Sequence, residues 1–120
     1  MSDLSNFNPG SVDELFRTIL SEGGQALGQP LDNVKAVSGY LRGLAQDSLD
    51  TAQALAERRI SERAAMRAFE GRRQELLQIR EFVELQALQA AQRAADAIFR
   101  VIGFAILNRT GINIAPGLVK

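Results

Sequence analysis

Val12, Leu15, Phe16, Ile19 and Leu20 are spaced i, i+3, i+4, i+7 and i+8, the apolar face of an amphipathic helix. Ser11 precedes them in "SVDE", a capping-box pattern. The Ser11 hydroxyl can accept from the third helical N–H while Glu14 reaches back to the Ser11 N–H. Asp13 suits the positive end of the helix and stands four residues before Arg17, a helical pairing distance. Gly23 and Gly24 are expected to stop this helix, giving a span of 12–22. Residues 1–10 show little periodicity and read as an N-terminal arm.

"GGQALGQP" at 23–30 reads as a loop, and Pro30 suits the first turn of a second helix over 31–58. Val34, Val37, Leu41, Leu44, Ala52 and Leu55 line one face of it. Gly39 and Gly43 form a G-x-x-x-G, read as ordinary helix–helix packing. Two sites offer cap residues for a turn, "DSLD" at 47–50 and Ser61. The turn is placed near 59–61.

From 61 to 108 the apolar positions repeat every eleven residues: Leu77, Leu88, Phe99; Leu76, Ala87, Ile98; Ile79, Ala90, Val101; Val83, Ala94, Ala105. Such a hendecad-like stripe stays nearly straight or winds slightly right-handed. As one helix, 61–108 would be about 70 Å long at ~1.5 Å per residue. A compact chain of 120 residues has a radius of gyration of about 13–14 Å and a diameter near 35 Å. Either Gly71 and Gly103 break the helix, or other copies of the chain cover it. The second option is preferred. It gives an all-α protein in one domain: a short helix, then a long helical hairpin or extended helix, with flexible arms at both ends. Leu77, Leu88, Ile98, Phe99, Ile102 and Ile106 are then assigned to the oligomer interface. Residues 109–120, with Gly111 and Pro116, read as a C-terminal arm that docks on something.

The densest apolar run, "AIFRVIGFAIL" at 97–107, spans about 16 Å as a helix. A bilayer needs about 20 apolar residues, and Arg100 interrupts the run. A conventional transmembrane span is excluded, although membrane contact through 97–107 stays open.

Composition then narrows the chemistry. The 14 basic and 14 acidic residues cancel, which argues against steering toward nucleic acid. With no His and no Cys, the common nucleophile–base pairs and zinc or di-iron sites have no components. The carboxylate pairs Glu81/Glu84 and Asp47/Asp50 read as solvated faces or a cap. No catalytic, cofactor or metal residue is assigned, and no cofactor is expected. "GGQALG" lacks the Lys-Ser/Thr ending of a phosphate loop. The arginine-rich run at 57–73 interleaves with Glu57, Glu62 and Glu70, and reads as a salt-bridged solvated face with Glu62 pairing Arg58. "NRT" at Asn108 matches a glycosylation sequon. The N-terminus lacks the features of a signal peptide, so the sequon reads as chance, and the expected location is the cytoplasm or an assembled particle.

The pattern therefore favours a non-enzymatic, self-associating structural protein, by its general look similar to small bacterial or phage helical assembly proteins of a virion, conduit or secretion apparatus. Other structural proteins are further candidate partners. Two alternatives stand beside it. One is a coat on a lipid or apolar surface, since the chain resembles phasins in being amphipathic, Ala/Gln-rich and Cys-free. The other is a small regulatory module that binds another protein.

Overall fold

The computed structural model describes residues 4–28, 35–76 and 88–119. Among them are four helices and no strand: α1 (Val12–Leu27), α2 (Lys35–Ala56), α3 (Glu62–Leu76) and α4 (Leu88–Thr110). The radius of gyration is 13.4 Å and the longest dimension is 40 Å. A straight helix over 61–108 does not fit in that length. Arg73 Nε lies 2.8 Å from Asp96 Oδ1, yet 23 residues of continuous helix would separate them by about 35 Å. The expected long helix is thus two helices that fold back on each other. The repeat positions at 77–87 lie outside the described residues.

α1 begins at the expected cap. Ser11 Oγ accepts from the Glu14 N–H at 3.2 Å. The return bond is displaced by one residue, because Glu14 Oε2 accepts from the Gly10 N–H at 2.9 Å. Asp13 pairs with Arg42 on α2 rather than with Arg17. The helix also runs through the two glycines expected to stop it. Leu15, Ile19 and Gly23 form a buried line at i, i+4 and i+8. Packing along that line outweighs the helix cost of each glycine, about 1 kcal/mol. The real stop is Gly28 in the left-handed conformation (φ 83°), whose N–H bonds back to the Gly24 carbonyl as in an αL cap.

α2 buries Val37, Leu41, Leu44, Ala45, Ser48, Ala52 and Leu55. Ser48 fills the gap in the apolar pattern. It is buried, and its hydroxyl donates to the Leu44 carbonyl at 2.7 Å, so no polar group is left unpaired. Gly39 and Gly43 lie on the exposed side, where an added Cβ would meet nothing within 4 Å. The G-x-x-x-G therefore makes no close helix contact among the described residues.

The turn after α2 falls at 57–61. The Arg59 N–H bonds to the Ala54 carbonyl and the Arg58 N–H to the Leu55 carbonyl, the two bonds of a Schellman motif. Arg58 holds the left-handed position (φ 59°) that glycine usually takes. Ser61 caps α3, accepting from the Ala64 N–H at 3.0 Å.

α4 is the centre of the fold. Ala94, Ala95, Ile98, Phe99, Val101, Ile102, Phe104, Ala105 and Ile106 are all buried. Over Ile98–Ile106 only Arg100 is not buried, so these positions cover most of the helix circumference there, as in a helix enclosed by others. α1 makes the most extensive pairing with it, α2 completes a three-helix core, and α3 is attached least.

Both termini are docked rather than free. Asn108 Nδ2 donates to the Ser5 and Phe7 carbonyls, at 3.2 and 2.7 Å. Arg109 Nη1 donates to the Pro9 carbonyl at 2.7 Å, and Leu4 is buried. The sequon nitrogen thus pins the N-terminal segment. At the other end the chain turns at Gly111 (φ 78°) and lays Ile114 and Val119 into the core. Gly103 makes this return path fit. A Cβ at 103 would stand 2.5 Å from Val119 Cγ2 and 3.4 Å from Ala115 Cβ. The glycine expected as a helix break is a seat for the C-terminal segment.

Gly103→Ala should therefore destabilise the fold by about 1–3 kcal/mol, the usual cost of overpacking, although Ala is the better helix former. Val119→Ala should recover part of that loss in the double variant. Chemical denaturation of the two single variants and the double variant measures the coupling. Additive effects would show that the two side chains do not meet.

Candidate functional site

The residues assigned to an oligomer interface lie in the core. Ile98, Ile102 and Ile106 have no exposed surface, and Phe99 is 3% exposed. They join Leu15, Ile19, Leu41 and Leu44 in one cluster. α1, α2 and the two terminal segments of the same chain cover the stripe. Leu77 lies outside the described residues, and so does the Leu88 side chain. The membrane-contact segment 97–107 is this same buried stretch. Among the described residues no helix is long and apolar enough to cross a membrane. Arg100, which interrupts it, sets its guanidinium over the Phe104 ring, 5.0 Å from the centroid.

An open groove of about 930 Å³ lies elsewhere, between α3 and the C-terminal segment. Helical geometry orders the α3 wall by depth. Phe69 is deepest and meets Phe99 edge-on, with ring centroids 5.9 Å apart and an interplanar angle of 79°. Met66 stands above it and is 39% exposed, one of two large apolar side chains so exposed among the described residues. Arg63 and Arg67 form the outer lip. The opposite wall, built from Ile114, Ala115, Pro116, Gly117 and Leu118, carries no charged side chain.

Electrostatics divide this region sharply. Arg72 pairs with Asp47 at 2.8 Å, and Arg59 with Glu57 at 2.7 Å. Arg73 holds Asp96 and reaches Glu70 at 3.4 Å. Glu62 lies in the first turn of α3, where the helix dipole favours a negative charge. Arg63 and Arg67 have no ion pair among the described residues. The Arg58–Glu62 pair expected from spacing does not form, because Arg58 sits in the turn and not on the helix. The sequence shows two arginines at i and i+4 with Met66 beside them, a spacing that repels on a helix face, but not which arginines of the run are left without an ion pair.

α3 is tethered mainly by its second half. Besides Arg72, Arg73 and Phe69, Glu75 Oε2 accepts from the Tyr40 hydroxyl at 3.4 Å. Of the carboxylate pairs, Asp47 holds Arg72 and Asp50 accepts from Gln46 at 3.0 Å. Glu81 and Glu84 lie outside the described residues. No group of three acidic side chains gathers among the described residues. Comparison with protein families, with curated proteins and with solved structures finds no match.

Tyr40 reports on the α2–α3 tether. Burial raises its hydroxyl pKa above the ordinary value, and the Glu75 carboxylate adds to the rise while Arg72 opposes it. A raised folded value means that the contribution to stability is present below about pH 10, the unfolded value, and is lost as pH climbs through the folded one. Tyr40 is the sole tyrosine and there is no tryptophan, so ultraviolet absorbance follows its ionisation directly. The midpoint should lie above the ordinary tyrosine value and fall in Glu75→Gln. A midpoint at or below it in the native chain would mean that Tyr40 is free of Glu75.

Proposed function

We propose that the protein is a non-enzymatic helical module that binds a segment of another polypeptide in the groove between α3 and the C-terminal segment. The observation that carries this reading is the exposed Met66 above the Phe69–Phe99 pair, in an open groove with one uncharged wall. Methionine on an open surface adapts to varied apolar partners, and a groove with an aromatic floor suits an apolar anchor. Assembly along the stripe of Ile98, Phe99, Ile102 and Ile106 receives less support, because one chain already covers those side chains. A coat on lipid would need the same stripe at the surface.

A random-peptide display library selected on the native chain, with Met66→Asp as the counter-target, tests the reading. Met66 is exposed, so the variant is expected to keep its fold, and its circular dichroism verifies this. Sequences that bind the native chain and lose the variant are expected. A selection that yields no Met66-dependent binder contradicts the reading. Sedimentation of the native chain adds a second arm. A monomer is expected, and a stable oligomer dissolved by Met66→Asp would identify the partner as a second copy.

A further inference from the structure

Resting on the groove as a polypeptide site, we propose that its partner is an acidic amphipathic helix whose carboxylates stand one turn apart. Arg63 and Arg67 are separated by one turn of α3, about 5–6 Å between Cβ atoms. Both are exposed on the lip of the groove, and neither has an ion pair among the described residues. Like charges at i and i+4 repel on a helix face, and no carboxylate among the described residues forms an ion pair with either. The other arginines of this stretch that face a neighbouring element, Arg72 and Arg73, are each matched by a carboxylate of that element. Glu62 and Glu70 also line the α3 side, but Glu70 is engaged by Arg73 and Gln74. Arg63 and Arg67 thus stand against one carboxylate without an ion pair among the described residues, Glu62, where the groove opens.

The two walls set the rest of the partner's chemistry. The C-terminal wall offers Ile114, Pro116 and Leu118 and, among the described residues, no charge, while Met66 and Phe69 line the floor on the α3 side. A helix laid along the groove would turn its apolar stripe down onto Met66 and toward Leu118. The edge of that helix nearest α3 would run beside Arg63 and Arg67. Glutamate or aspartate at i and i+4 on that edge matches the spacing of the two guanidinium groups, each able to bind a carboxylate with two N–H donors. Nucleic acid fits less well. Among the described residues the C-terminal wall supplies no cation for a phosphate backbone, and Phe69 and Phe99 are engaged with each other rather than open for base stacking.

The test uses two synthetic helical peptides with the same leucine face, one with glutamates at i and i+4 along its edge and one with lysines there. The native chain should bind the glutamate peptide, with groove residues shifted in amide NMR spectra, and should bind the lysine peptide at least about tenfold more weakly, as expected from two partly exposed charge pairs. Binding should weaken as salt rises. Arg63→Glu/Arg67→Glu should invert the preference in favour of the lysine peptide. That gain of binding shows that the variant is folded. Arg63→Gln/Arg67→Gln should abolish discrimination between the two peptides while retaining the native helix content. Equal binding of both peptides by the native chain overturns the acidic-partner proposal and leaves the groove reading standing. Tighter binding to phosphatidylserine vesicles or to single-stranded DNA than to the glutamate peptide overturns it too. If Met66-dependent binders emerge from the library without an acidic edge, the groove reading holds and this proposal fails.

Discussion

From Ile98 to Ile106 every residue of α4 except Arg100 is buried, and water has to be kept from that whole stretch. Ile98, Val101, Ile102, Ala105 and Ile106 have at most 1% of their surface exposed. A buried side chain of the size of Ile or Phe is worth about 1.5–3 kcal/mol in area removed from water. Enclosing this helix therefore contributes more to stability than any other feature of the fold. The chain surrounds it with α1, α2 and both termini. Pinning the N-terminal segment takes the Asn108 and Arg109 donors, and seating the C-terminal segment takes a residue without a Cβ at 103. The terminal segments are structural walls of the core.

α3 is held by different physics. It buries Ala65, Phe69 and Leu76, and its other tethers are partly exposed ion pairs, which contribute little individually. The edge-on aromatic pair adds about 0.5–1.5 kcal/mol beyond area burial. Because the polar tethers lie at Arg72, Arg73 and Glu75, the first half of the helix keeps Met66 and two unpaired arginines at the surface.

The local elements are legible in the sequence, and the covering of the stripe is not. The Ser11 cap, the α1 stripe, the α2 face and the Ser61 start are all set by residues within a few positions of one another. Gly23 and Gly103 mislead for one reason. Helix propensity marks each as a break, whereas each lies where another part of the chain packs closely or the position is buried. The assignment of Ile98, Phe99, Ile102 and Ile106 to contact surfaces identifies residues that must be buried, but periodicity cannot say which chain buries them. The arginine lip is hidden by an average over the run at 57–73. Only the turn at Arg58 and the cross-helix pairs of Arg72 and Arg73 reveal which cations remain unmatched.

That one chain encloses its own apolar stripe is the claim on which both the fold and the groove depend. Ile102→Asp tests it most directly, because Ile102 has no exposed surface and a lone carboxylate there would be buried without a partner, a cost of several kcal/mol. Far-ultraviolet circular dichroism with sedimentation reads the outcome. Enclosure within one chain predicts that the variant loses helix cooperatively and sediments as an unfolded monomer. A variant that keeps the native helix content and differs only in failing to self-associate would contradict it, since Ile102 would then face another copy.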